Sequence, residues 1–294
     1  MPNKKKTLLR IVLYLILAYV PVYILEFAYS DKNGGLTSVL AGNTLMLYPA
    51  AAVIITRLVT REGFHDSFLG FGKRNSGKYY ALAVLYPIAL PYVSALILHL
   101  FVVKNGSIAD SAAASDGTTA VAMLLLSIVS GFATAVHGFG EELGWRGYLT
   151  PKLEELMPTP AAVIVTGIIW ALWHGPLLAY GYDFGRDYGF FPYGGFIAMI
   201  IMCVFWSAFL TWLTKRTNSV YPAALCHMLI DALVTANFTS FAYNADGEKF
   251  ELRTNEFWGQ IISVFPMIIA AGTVSMILLC RKKKTVSKNA EALS

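Results

Sequence analysis

The sequence predicts an all-α, polytopic membrane helical bundle with about eight transmembrane helices. Hydrophobic residues make up 56% of the 294 residues, charged residues only 14%, and the mean hydropathy is +0.56. A soluble domain carries about 25% charged residues. Apolar stretches of about 20 residues, long enough to cross a bilayer as a helix, recur along the chain. A helix satisfies its own backbone hydrogen bonds, so helices are the predicted form of these stretches.

The first four predicted spans cover 8–29, 36–59, 79–103 and 119–143. The first follows a lysine-rich start and contains Pro21. Because it is longer than the apolar region of a signal peptide, we expect an uncleaved helix. The polar stretch 60–78 separates the second span from the third, and the polar linker 104–118 precedes the fourth.

The last four predicted spans cover 160–181, 193–214, 219–240 and 257–280. In the first of these, Pro176 removes the backbone hydrogen bond to the carbonyl of Leu172, so we expect a break beside His174. The sequence contains neither an internal repeat nor a loop long enough for a soluble domain. Residues 1–294 are therefore predicted to form a single membrane domain.

The basic residues predict that both termini are cytoplasmic. With that orientation, 18 of the 23 Lys and Arg residues lie at inner ends or in inner loops, including the clusters Lys4–Lys6 and Arg281–Lys284. This asymmetry is typical of multi-pass proteins of the cell membrane. It accounts for the net charge of +5, so the lipid bilayer is an expected partner and nucleic acid is not.

Few acidic residues lie within the apolar segments, and these need an explanation. They are Glu26, Glu141, Glu142 and Asp231. Glu26 is close enough to an outer boundary that we expect it to reach the headgroups. A charged side chain in mid-span costs about 2.5–3.5 kcal/mol, so the other three are expected to have partners or to line a site.

Helical spacing assigns some of those partners. Glu142 and Arg146 are four residues apart and share a helix face, whereas Glu141 is turned about 100° away. His227 and Asp231 share a face in the same way, which would let the carboxylate fix the imidazole tautomer. The spacing therefore predicts a structural Glu142–Arg146 pair and leaves Glu141 free.

Glu141, His174 and His227 come from three different predicted spans. One carboxylate and two histidines suit either direct activation of water or a zinc site with an open position for water. A nucleophilic enzyme is disfavoured, because GxSxG is absent and Cys226 diverges from His227 by about 100°. Two other classes stay open, a proton- or ion-coupled transporter and a non-catalytic immunity or scaffold protein.

Three motifs resemble those of the CPBP family, which comprises the type II CAAX prenyl proteases and the bacteriocin-processing enzymes. The stretch EELGWR (Glu141–Arg146) is similar to the family's EExxxR, WALWH (Trp170–His174) to its FxxxH, and HMLID (His227–Asp231) to its HxxxN/D. They occur in this order on separate predicted spans. The resemblance covers residues 119–240 and marks them as a catalytic core.

The resemblance implies intramembrane proteolysis in a helical cavity open to the cytosol. Carried over residue by residue, it makes Glu141 the general base and His174 its partner on the water. It makes His227 and Asp231 the stabilisers of the oxyanion. As an ionised aspartate does not donate a hydrogen bond, we expect Asp231 to orient His227, which then donates alone.

The same resemblance gives Glu142 and Arg146 the role of organising the site, which agrees with their spacing. Trp170 stands where the family usually has phenylalanine, and we expect this to change only an aromatic packing position. The implied substrate is a peptide or a membrane protein, either prenylated or bacteriocin-like.

Metal dependence is left open by the sequence. One divalent metal, zinc, on Glu141, His174 and His227 is one alternative. The chain lacks HExxH, and a metal-free glutamate mechanism fits the residues equally well.

Overall fold

The computed structural model describes residues 3–29, 44–106, 117–233, 243 and 248–281. Apart from two isolated β-bridges, the regular structure of these residues is helical, as predicted. The helices are α1 (Lys4–Tyr29), α2 (Tyr48–Thr60), α3 (Gly77–Phe101), α4 (Gly117–Ala133), α5 (Ala135–Gly144), α6 (Thr150–Glu154), α7 (Thr159–Trp173), α8 (Gly175–Ala179), α9 (Tyr193–Thr217), α10 (Tyr221–Leu233) and α11 (Glu256–Cys280). A π-helical turn, Trp145–Leu149, joins α5 to α6.

In the described part of the chain, four helices (α1, α3, α9 and α11) are long and apolar enough to cross a membrane. A fifth span results if α4 and the stretch Ala135–Glu154 count as one span bent by 51°. These helices support a multi-pass membrane protein but do not confirm the predicted count of eight.

The remaining predicted spans contain the shorter apolar helices α2, α7 and α10. Residues 36–43 and 234–240 of two predicted spans lie outside the described residues, as do most of the linker 104–118 and the basic residues 282–284. The orientation of the termini stays a prediction.

The predicted break beside His174 is confirmed. Helix α7 ends one residue before His174, and α8 begins one residue after it, with Pro176 in its first turn. The hydroxyl of Tyr23 on α1 donates a hydrogen bond to the carbonyl of Leu172, whose i+4 backbone donor is absent because residue 176 is proline. A Cβ at Gly175 would lie 2.7 Å from that hydroxyl, so a residue without a side chain lets α1 approach the break.

Helix α5 packs very closely on the start of α2, as the GxxxG spacing of Gly140 and Gly144 predicts. A Cβ at Gly140 would lie 2.5 Å from the carbonyl oxygen of Met46, and one at Gly144 would lie 2.4 Å from the Cβ of Pro49. These contacts leave no space for larger residues. They fix α5, which carries both glutamates, against the core.

Charged side chains near the ends of α1, α2 and α6 form a second polar cluster. Lys152 on α6 contacts Glu62 (Nζ to Oε2, 3.0 Å), Asp66 (3.4 Å) and Glu155 (3.1 Å). Arg10 on α1 also pairs with Glu62, at 3.2 Å. We call these residues the Lys152 cluster, and it ties α1, the loop after α2 and α6 together.

Candidate active site

The motif residues lie on elements that meet inside the bundle. Helix α5 carries Glu141 and Glu142, and Arg146 lies in the π-helical turn that follows. Such turns are frequent at functional sites. His174 occupies the break between α7 and α8, and His227 lies on α10, which packs on α5.

Glu142 is the centre of one hydrogen-bond group. Its Oε1 accepts from Nη1 of Arg146 at 2.8 Å and lies 2.9 Å from Nδ1 of His227. The side chains of Glu142 and Arg146 are wholly buried. The predicted ion pair therefore forms, and the same carboxylate also reaches a histidine on another helix.

Glu141 is held by two tryptophans. Its Oε2 accepts from the indole N–H of Trp145 at 3.0 Å and from that of Trp170 at 2.6 Å. Its Oε1 has no hydrogen-bond partner among the described residues. The expectation that Trp170 is only a packing position is wrong, because its indole donates to Glu141. Sequence reasoning also missed Trp145, although its i,i+4 spacing from Glu141 was a usable signal.

The tautomer of His174 is set by a backbone carbonyl. Its Nδ1 lies 3.0 Å from the carbonyl oxygen of Trp170. A carbonyl only accepts, so Nδ1 carries the proton and Nε2 keeps its lone pair. Within the described residues, Nε2 has no hydrogen-bond partner.

Asp231 does not orient His227 as expected. Its Oδ2 lies 3.7 Å from Nε2 of His227, which is longer than a hydrogen bond. Glu142 orients the ring instead, through Nδ1. This contact joins α5 to α10, so spacing along a single helix did not reveal it. The Asp231 side chain is 46% exposed.

Glu26 also differs from the expectation. The residue is only 2% exposed, so it is buried within the protein instead of lying at an open boundary. Both of its carboxyl oxygens are buried without a hydrogen-bond partner among the described residues. Helix α1 therefore contributes a further buried acid.

The sequence leaves open a zinc site with Glu141, His174 and His227 as its three ligands. In the part of the chain that the structure describes, no group of three or more His, Cys, Asp or Glu side chains is placed to hold a metal ion. Within this part of the chain, Glu141, His174 and His227 are therefore not grouped as the three zinc ligands that the sequence allows.

Part of the chain is similar to known proteins. The model of the Rce1-like type II CAAX prenyl endopeptidases matches residues 117–233, which contain all three motifs. Residues 117–233 are therefore similar to the CPBP family. A curated member, CAAX prenyl protease 2 of Methanococcus maripaludis, is 27% identical over 235 residues, covering 74% of this chain and 82% of that protein.

This similarity to the CPBP family, together with the apolar helices, supports a peptide hydrolase in a membrane that acts on a peptide or protein substrate. The matched region begins with α4 and ends with α10. It therefore includes the broken helix, the π-helical turn and every residue of the two hydrogen-bond groups described here.

Proposed function

We propose that this protein is an intramembrane endopeptidase of the cell membrane in which Glu141 and His174 activate water for attack on a peptide carbonyl. The main support for the proposal is that both residues form a hydrogen bond with Trp170. The indole N–H of Trp170 holds Glu141, and its backbone carbonyl holds His174. Each reacting group keeps one acceptor free, Oε1 of Glu141 and Nε2 of His174.

In the proposed reaction, a water molecule donates one hydrogen bond to each of these two free acceptors. Glu141 takes a proton from the water as its oxygen attacks the peptide carbonyl carbon. The tetrahedral intermediate then collapses, the C–N bond breaks, and Glu141 returns the proton to the leaving nitrogen. His174 orients the water in the first step.

His227 stabilises the oxyanion in this proposal. Since Nδ1 donates to Glu142, His227 can donate through Nε2 only as the imidazolium. The carboxylates of Glu142 and Asp231 lie at 2.9 Å and 3.7 Å from its two nitrogens and favour that charge. A charged donor in a site shielded from water stabilises the developing negative charge strongly.

We propose a glutamate-type mechanism without a metal, supported by the poor fit of the Glu141, His174 and His227 donor set to a zinc site. The substrates proposed are membrane-anchored peptides or proteins, prenylated at a C-terminal cysteine or bacteriocin-like. The prenylated class is supported by the family description and by the name of the Methanococcus maripaludis relative.

The decisive experiment compares wild type and Glu141→Gln, each reconstituted in liposomes. The substrates are a farnesylated CAAX peptide, the same peptide without the farnesyl group, and a bacteriocin-like precursor. Cleavage by wild type should fall by at least about 10²-fold in Glu141→Gln. Comparing the peptides released from cell membranes carrying each form would find substrates outside this set. If Glu141→Gln retains full biological activity, the protein is a scaffold and not a peptidase.

A further inference from the structure

We infer that Trp170 is a positioning residue. Its indole N–H fixes the position of the Glu141 carboxylate relative to His174, so that both side chains face the same water. This inference rests on the proposed function. It assigns Trp170 a role beyond packing, in a position where the family usually has phenylalanine.

Trp170 contacts both reacting residues, Glu141 and His174. Its indole Nε1 lies 2.6 Å from Oε2 of Glu141, and its carbonyl oxygen lies 3.0 Å from Nδ1 of His174. An indole N–H only donates, so the contact selects which carboxylate oxygen is bound and leaves the other for water. A misplacement of about 1 Å in such a site can lower the rate about 10²-fold.

Trp170 is itself held from two other sides. Its side chain is 3% exposed, and the guanidinium carbon of Arg146 lies 4.3 Å from its ring centroid. The ring centroid of His227 lies 5.2 Å away, in an edge-on arrangement. Trp170 therefore contacts all three motifs, and its ring has little freedom to move.

Substitution of tryptophan by phenylalanine removes the indole N–H but keeps an aromatic ring, so it separates the effect of the hydrogen bond from that of ring packing. Trp170→Phe keeps an aromatic face for Arg146 but removes the donor to Glu141. Trp173→Phe is the matched control, because Trp173 is 2% exposed and its indole donates to the carbonyl of Ala18 at 3.1 Å. The control loses a buried indole hydrogen bond of the same kind but not one to Glu141.

We expect Trp170→Phe to lower kcat and to leave substrate binding nearly unchanged. Trp170→Phe should lower kcat by about 10-fold or more, since hydrogen bonds to charged groups are the stronger class, while KM stays within about 2-fold. Trp145→Phe, which removes the second donor to the same oxygen, should have a smaller effect in the same direction. The double variant Glu141→Gln/Trp170→Phe should hydrolyse peptide no more slowly than Glu141→Gln, because Trp170 acts through Glu141.

A spectroscopic test needs no active variant. In ¹⁵N-labelled protein, Glu141→Gln should shift the indole resonances of Trp145 and Trp170 and leave the other four of the six tryptophans in place. The shift reflects exchange of a carboxylate acceptor for a neutral amide. This readout keeps the inference testable even if Trp170→Phe does not fold.

The outcomes separate this inference from the proposed function. If wild type hydrolyses peptide, Glu141→Gln does not, and Trp170→Phe matches Trp173→Phe in kcat, the positioning role is wrong while the peptidase stands. Unmoved indole resonances in Glu141→Gln would overturn the positioning role in the same way. Equal hydrolysis by wild type and Glu141→Gln would instead contradict the peptidase itself.

Discussion

The carboxylate of Glu142 lies 2.8 Å from the guanidinium of Arg146, one helical turn away, and both side chains are completely buried. Among the described residues, its neighbour Glu141 has no cation within hydrogen-bond distance and accepts only from neutral indoles. Replacing each of the two adjacent glutamates by glutamine should therefore have different effects on stability and on activity. Glu142→Gln leaves a buried guanidinium without its partner, at a cost of about 3–5 kcal/mol.

We expect Glu142→Gln to lower folded yield and melting temperature, measured by thermal unfolding in detergent. Glu141→Gln should fold at least as well as wild type, because a neutral amide is easier to bury than a carboxylate, and should still lose hydrolysis. Equal destabilisation by the two changes, or an active Glu141→Gln enzyme, would refute this division of roles.

Asp231→Asn should keep or raise kcat. The amide adds a neutral donor beside Nε2 of His227, while Glu142 still holds Nδ1 at 2.9 Å and favours the imidazolium. Asp231→Ala, which adds no donor, is the control and should be slower than Asp231→Asn. Peptide cleavage by the two variants at saturating substrate measures the difference. Equal activity of the two would mean that residue 231 does not face the oxyanion.

The spacing within single helices predicted part of this site correctly. It identified the Glu142–Arg146 pair, the separate direction of Glu141 and the break beside His174, because each depends on residues close in sequence. Contacts between helices were not predictable in this way. Glu142 reaches His227 across 85 positions, and Trp170 reaches Glu141 across 29, so both depend on how helices pack.

The predicted count of eight spans stays unconfirmed for a related reason. Hydropathy reports that a segment is apolar but not whether it continues as one straight helix. The fourth predicted span bends by 51° between α4 and α5, and the fifth breaks at His174. In the fifth, Pro176 follows the break, the hydroxyl of Tyr23 on α1 donates to the carbonyl of Leu172, and the break lies at the candidate site.

Metal content should distinguish the two hydrolytic mechanisms. Because the described donor set does not fit a zinc site, we expect active purified protein to carry much less than one equivalent of zinc and to resist chelators. His174→Ala should then lose activity without changing metal content. Elemental analysis and assays with and without chelator test this. One equivalent of zinc that disappears in His174→Ala would show a metal mechanism instead.

The predicted orientation can be tested by labelling single cysteines in intact cells. Cys203 and Cys226 are buried, so Cys280→Ser removes the exposed background thiol. Lys73 and Asn105 are exposed on either side of α3. An impermeant thiol reagent should label Asn105→Cys in intact cells and Lys73→Cys only after permeabilisation. The reverse pattern would invert the topology.

The Lys152 cluster should make stability depend on acid pH. Desolvation opposes ionisation of Glu62, but hydrogen bonds from Tyr148 and Lys152, with the charges of Lys152 and Arg10, outweigh it and lower the pKa of Glu62. For Asp66, desolvation is outweighed by the hydrogen bond and charge of Arg57 and then by Lys152, so its pKa is also lowered.

A carboxylate whose pKa is lower in the folded state stabilises the fold fully above its unfolded pKa, about 4.3 for Glu and 3.9 for Asp, and this stabilisation is lost as pH falls through the folded value. The melting temperature should therefore fall as pH is lowered below about 4, and less steeply in Glu62→Gln. Glu251→Gln is the control, because its ion pair with Lys104 has side chains 58% and 54% exposed and should contribute little. If Glu62→Gln and Glu251→Gln both follow the wild-type pH profile, Glu62 does not contribute to this acid sensitivity.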